Sequence, residues 1–296
     1  MDKEILDKYV KAGQITAEAR TYGAGLIKPG VRILDVCKAT EAKIKELGGE
    51  PAFPVQIAIN HVAAHFCPDP DDNSAFKEGD VCKLDLGVHI DGYIADTAIT
   101  VDLGDHKELV KASREACDAA VKLVTPGVEL RELGRAIHEV ITSYGYAPVR
   151  NLSGHGLSQY VIHDHEVTVP NYDNNDTSTL KEDMVIAIEP FATTGKGLIQ
   201  EQNNGNIYSQ LEKKPVRNIY ARKVQDEIQK YKGLPFTTHW LSLSQKPAEM
   251  GLRELMQVAA VHCYPPLTEV AKGMVSQHEH SIIVQEKPII TTKGAQ

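Results

Sequence analysis

Asp85 and Asp96, eleven residues apart in VCKLDLGVHIDGYIADTAITV, are the residues whose spacing promises chemistry most directly. Apolar residues alternate up to Asp91-Gly92, a two-residue turn signal, and alternate again beyond it. This predicts a β-hairpin that pairs Ile90 with Tyr93. Counting outward sets Leu86 against Thr97, Gly87 against Asp96 and Asp85 against Ala98. The two acids then share one face as diagonal neighbours, with β-carbons roughly 7–8 Å apart. Carboxylates converging across that gap can hold two divalent ions about 3.5–4 Å from one another. Gly87 and Ala98 are expected to leave room above the sheet. Cys82, Leu84, Leu86, Val88, Ala95, Thr97, Ile99 and Val101 on the other face make a packed underside. A single acid on a half-exposed strand is commonly just solvated; a pair on one face between small residues points to metal.

Such a hairpin needs a frame, and the chain contains one twice. At an offset of 97, residues 29–51 align with residues 126–148 and share seven identities in 23 positions. Pro29, Gly30, Val31, Ala39, Ile44, Gly48 and Pro51 recur as Pro126, Gly127, Val128, Ala136, Ile141, Gly145 and Pro148. In each copy one helix precedes the Pro-Gly break, and a second follows it and feeds a strand. Ile33, Val36, Ile44 and Leu47 form one apolar stripe at helical spacing, and Leu130, Leu133, Ile137, Ile141 and Tyr144 form the other. Amphipathic helices with similar caps align to some degree by chance. A true duplication predicts two halves about a pseudo-two-fold axis that share a site.

The second half must then supply the remaining ligands. NLSGHGLSQYVIHDHEV offers His155 between glycines and His163 eight residues later; MVIAIEP offers Glu189 at a strand end; MVSQHEHSIIV offers Glu279 within a strand. Each alone also reads as a turn residue or a solvated strand charge. Two Asp, one His and two Glu suit Mn(II), Fe(II), Co(II) or Zn(II) and lack the sulfur that structural zinc favours.

Composition bounds the class of protein. With 296 residues and 42% hydrophobic content, the chain can bury a sizeable core, and its net charge of −8 argues against a general nucleic-acid binder. Five cysteines without a CxxC spacing indicate neither a disulfide framework nor a thiolate metal site, which fits a reducing cytoplasm. The first residues, MDKEILDKYV, do not read as a signal peptide, and no apolar run reaches membrane-spanning length. The sequons at Asn151 and Asn175 are then chance matches.

The order Asp, Asp, His, Glu, Glu on a duplicated frame resembles the pita-bread metallopeptidases, and in detail the archaeal form of the type II methionine aminopeptidases. The likeness spans the chain and is carried by AFPVQIAINHVAAHF, KLDLGVHIDGYIADTA, LSGHG, AIEPFATTGKG, YPPL and QHEHSIIV. It implies an α+β pita-bread fold, antiparallel sheet covered by helices, over residues 1–199 and 264–296. Residues 200–263 are its helical insertion subdomain. It implies Asp85, Asp96, His155, Glu189 and Glu279 as ligands of two divalent ions, with Asp96 and Glu279 bridging. His65 and His163 would polarise the scissile carbonyl, and Glu189 would shuttle the proton from water to the leaving amine. Phe53, Pro54, Ile162, Phe191 and Tyr264 would line the methionine pocket. The implied activity is removal of N-terminal methionine from nascent chains by a cytoplasmic monomer.

The chain departs from that pattern where a small residue and glycine normally follow the second histidine: it reads His163-Asp164-His165-Glu166, so an adjacent residue could compete with His163. An aminopeptidase P or prolidase would use the same five ligands, usually behind an additional N-terminal domain. A binding module that has lost catalysis would be expected to have lost ligands. Residues 211–257 hold nine Lys or Arg against five Asp or Glu, a local net of +4. A solvated helical face is one reading, and a transient ribosomal RNA contact the other. Under the second, co-sedimentation with ribosomes falls as salt is raised, and binding that holds steady opposes it.

Overall fold

The computed structural model describes residues 1–203 and 205–294. The hairpin forms in the expected register: Val81–Ile90 pairs with Tyr93–Asp102, setting Gly87 against Asp96 and Asp85 against Ala98. Asp91 and Gly92 take φ of 52° and 88°, the turn that matches the right-handed twist of paired strands.

Four helices cover the two halves: α1 (Lys3–Leu26), α2 (Ile33–Glu46), α3 (Lys107–Val121) and α4 (Leu130–Ser143). The first pair packs Ile15, Ala19, Ile33, Val36 and Ile44 against Val55, Ile57, Leu84, Leu86 and Val88. The second packs Leu109, Ala116, Leu133, Ile137 and Ile141 against Val167, Val169, Ile186, Ile188 and Ile282. Each core is a helix pair laid over its own antiparallel sheet, as the duplication requires.

The repeat extends to individual backbone hydrogen bonds. Gly30 donates to the Phe76 carbonyl and Gly127 to the Leu180 carbonyl, both at 2.8 Å. Gly49 closes the end of α2 on Ile44 at 3.1 Å, and Tyr146 closes α4 on Ile141 at 3.3 Å. Between them Gly48 and Gly145 adopt φ of 83° and 80°, the left-handed C-terminal cap that glycine takes without steric cost.

The halves meet along a seam of hydroxyl groups. Thr100 Oγ1 donates to the Gln277 carbonyl at 2.7 Å and accepts the Gln277 N–H at 2.8 Å. Ser281 Oγ makes the same two bonds to Asp96, at 2.8 and 2.7 Å. Thr97 Oγ1 donates to the Glu279 carbonyl at 2.8 Å and receives the buried Arg20 guanidinium at 2.6 Å. These side chains stand in for a regular ladder and lock Asp96 to the chain that carries Glu279.

Glu279 lies outside the strand in which it was expected. Ile188 faces His280 and Phe191 faces Gln277, but Glu189-Pro190 and His278-Glu279 between them leave the ladder, joined by a long bond from the His278 N–H to the Pro190 carbonyl at 3.4 Å. Pro190 has no N–H to give a ladder, and the Glu279 N–H turns instead to the Ala98 carbonyl at 3.0 Å. Both glutamates therefore project from one interruption in an otherwise antiparallel pairing.

Strands Ile207–Gln210 and Val261–Tyr264 pair at the base of the segment read as an insertion. Helices α5 (Ile219–Glu227) and α6 (Gln245–Gln257) lie between them, around a core that includes Tyr208, Val224, Phe236, Leu252 and Leu255. Among the described residues no helix is long and apolar enough to cross a membrane.

The seam makes a direct prediction. Thr100→Val orphans the buried Gln277 N–H and carbonyl together, and should lower unfolding free energy by about 2–4 kcal/mol in denaturant titration.

Candidate metal centre and adjoining pocket

All five predicted ligands converge on the floor of one pocket of about 490 Å³, part of it open to solvent. Asp85 and Asp96 come from the hairpin, Glu189 and Glu279 from the interrupted pairing, and His155 from strand Ser153–Ser158. A methyl group at Gly154 would overlap the Ala187 carbonyl, so the small neighbour lets the next strand approach and carry His155 inward. Asp96, His155 and Glu279 each offer a ligand atom within 4.8 Å of the others. His155 Nε2 lies 3.8 Å from Asp96 Oδ2 and 3.5 Å from Glu189 Oε1.

Gln277, absent from the sequence reading, organises the other side. Its Nε2 donates to Asp85 Oδ2 at 3.3 Å and to Glu189 Oε2 at 3.2 Å, so one amide sets the spacing of two ligands. The sequence held a faint signal, because Gln277 lies two positions before Glu279 and its side chain turns into the same site.

The electrostatics are those of a cation site. Burial pushes the Asp85 carboxyl up to about 7, while Gln277 opposes the shift. Burial, then the charges of neighbouring acids, raises Asp96, Glu189 and Glu279 well above ordinary carboxylate values. Asp96 Oδ1 and Glu279 Oε1 are buried without a protein hydrogen-bond partner. His155 loses basicity chiefly through burial, to about 3. With Nδ1 donating to the Gly156 carbonyl at 3.1 Å, its Nε2 lone pair faces the acids. Orphaned anionic oxygens beside a neutral imidazole of fixed tautomer fit divalent metal well.

The two predicted non-ligand histidines flank the centre. His163 stands edge-on to His155 with ring centroids 4.6 Å apart, and Tyr264 lies 5.8 Å from His65 and 6.2 Å from His163. Burial lowers both histidines to about 4, His163 lowering His65 further and His165 lowering His163. His65 also adopts φ of 60°, a left-handed conformation that costs a residue with a β-carbon of order 1 kcal/mol or more. Exposed His165 borders the adjoining groove and leaves the place beside His155 to His163. Glu166 turns outward to Lys181 at 3.1 Å.

Pocket placement is mixed. Phe53, Ile162 and Tyr264 line it as expected, joined by Gln56, Ile207 and Pro235, which sequence reasoning missed. The room expected over Gly87 is filled, because a methyl there would overlap the Phe53 ring. Pro54 is buried outside the lining. Phe191 packs with Val149, Ile199 and Val275 and faces an adjoining groove that runs past Leu152 and Leu267.

The signature of metallopeptidase family M24 matches residues 7–229. The chain belongs to metallopeptidase family M24, and Asp96, His155 and Glu279 form a candidate cluster for divalent metal. It is 48% identical to a methionine aminopeptidase of Archaeoglobus fulgidus over 99% of this chain and 100% of that one. Among solved structures, a methionine aminopeptidase from Thermotoga maritima superposes with a TM-score of 0.74 at 23% identity, covering 99% of this chain and 98% of that one. A thermophilic Arx1 superposes with a TM-score of 0.88 at 16% identity, covering 100% and 92%. The fold is the α+β pita-bread fold.

The metal site is testable without turnover. Mn(II) or Co(II) added to metal-stripped protein at a hundred times its dissociation constant should raise unfolding free energy by about 2.7 kcal/mol for each ion bound. Asp96→Asn should remove most of that gain in the same denaturant titration.

Proposed function

We infer that this protein is an aminopeptidase that removes the N-terminal methionine from newly made polypeptides by hydrolysis assisted by two divalent metal ions. The observation that carries this reading is the convergence of two Asp, two Glu and one His at the floor of a pocket walled by Phe53, Ile162, Ile207, Pro235 and Tyr264. The full-length identity to a methionine aminopeptidase supports it independently. We assign Asp85, Asp96, His155, Glu189 and Glu279 as the residues that would hold the metal, with Asp96 and Glu279 as the pair that would serve both ions. When bound, Co, Mn, Fe or Zn ions supply Lewis acidity and a water acidified to near neutral pH.

The chain's own groups account for the remaining steps. An aliphatic and aromatic slot accepts the unbranched, polarisable methionine side chain. His65 and His163, the two imidazoles flanking the centre, are the groups whose ring N–H is available to the oxyanion that forms on the scissile carbonyl. The Glu189 carboxylate takes the proton released by the attacking water and returns it to the leaving nitrogen.

Residues 200–263 act, in this reading, as an insertion subdomain that contributes Ile207 and Pro235 to the slot. The protein works as a cytoplasmic monomer on nascent chains.

Metal-stripped protein reconstituted anaerobically with Mn(II), Fe(II) or Co(II) should release methionine from Met-Ala-Ser and leave Ala-Pro-Ser intact. The reverse preference would move it to the prolyl-specific enzymes of the same fold, and cleavage of neither would remove the reading. Glu189→Gln should reduce turnover by at least about a hundredfold with the fold retained, the scale of a lost general acid-base group.

A further inference from the structure

The slot is built from segments far apart in the chain. Phe53 stands just before strand Gln56–Ile59, whereas Pro235 belongs to the segment between α5 and α6. One buried carboxylate reaches both. Glu41 of α2, only 6% exposed, accepts the Val55 N–H through Oε1 at 3.2 Å. Through Oε2 it accepts Trp240 Nε1 at 2.9 Å and His239 Nε2 at 3.0 Å. Val55 is two residues beyond Phe53, and His239 four beyond Pro235.

The same cluster holds a hydroxyl, an imidazole and a carboxylate in series, since Thr237 Oγ1 lies 3.3 Å from His239 Nδ1. Thr237 is fully buried and its Oγ1 contacts Cys67 Sγ at 3.5 Å, so no substrate can reach it. The series therefore positions structure and is no second nucleophilic centre. Its effect is to orient His239: with Nδ1 facing the Thr237 hydroxyl, Nε2–H is the donor left for Glu41.

We propose that Glu41 is a positioning residue for substrate specificity: by holding Phe53–Val55 and Pro235–Trp240 in register, it sets the width of the slot that takes the substrate's first side chain. This rests on the slot being the methionine pocket. A carboxylate suits the task because it accepts several N–H groups at once, and charge-assisted bonds resist the small shifts that would widen an apolar slot. The insertion is also anchored by Asn206, which accepts the Thr238 hydroxyl at 2.7 Å and donates to the Pro68 carbonyl at 2.9 Å. Losing Glu41 thus loosens the wall without releasing it.

The test uses the full chain loaded with metal and compares kcat/KM for Met-Ala-Ser, norleucyl-Ala-Ser and Leu-Ala-Ser. Glu41→Gln should lower the preference for the unbranched side chains over leucine by about tenfold, the scale on which a hydrophobic pocket discriminates one methyl group. The change should come through KM for the methionyl peptide, with kcat within about threefold and metal content unaltered. Trp240→Phe removes one donor and keeps the aromatic contact to Tyr231, whose ring centroid lies 5.4 Å away, so it carries the test if Glu41→Gln does not fold. Its expected loss is smaller and in the same direction. Active variants with wild-type selectivity, or with all three substrates reduced by one common factor, would overturn the inference while leaving the functional reading intact. A wild-type protein inactive on Met-Ala-Ser would overturn both.

Discussion

Four carboxylates gathered in one largely buried pocket repel each other, and the rest of the structure is organised around keeping them together. Burial alone lifts their proton affinities, and mutual charge lifts Asp96, Glu189 and Glu279 further. Such a cluster persists only where rigid backbone prevents the acids from swinging apart and where cations or protons cancel the charge. The hairpin register holds Asp85 and Asp96, the Gln277 amide spans Asp85 and Glu189, and the hydroxyl seam fixes the chain on which Glu279 sits.

The two duplicated halves reach the site by different means. The first contributes its acids from unbroken strands, where alternation alone directs them to one face. The second contributes its glutamates from a break in pairing, where Pro190 cannot continue the ladder. Duplication explains why the two frames match hydrogen bond for hydrogen bond. Divergence at the ends of the strands gives the site its asymmetry, with aspartates on one side and glutamates with an imidazole on the other.

The apolar part of the pocket depends on longer connections. Phe53, Ile162, Pro235 and Tyr264 come from separate parts of the chain, and their common wall exists only because the segment around α5 and α6 folds back over α2. Glu41 links that docking to the slot's shape, while the carboxylate cluster beneath belongs to the duplicated core. Selectivity for the side chain and assembly of the acids thus rest on different contacts.

By itself the sequence determined what depends on near neighbours. Hairpin register follows from alternation and a two-residue turn, and the repeated helices follow from apolar stripes, Pro-Gly starts and glycine caps. The ligand types were visible too: the duplication put His155, Glu189 and Glu279 forward beside the two Asp, and resemblance to a known family then singled them out as one set. Tertiary structure alone decided that Glu279 leaves its strand, that Phe53 fills the space above Gly87, that Phe191 faces another groove, and that Gln277 and Glu41 set distances within the site. Each of these is a contact between residues distant in the chain. Alternation and helical periodicity encode which face a side chain takes, and carry no information about which other segment will meet that face.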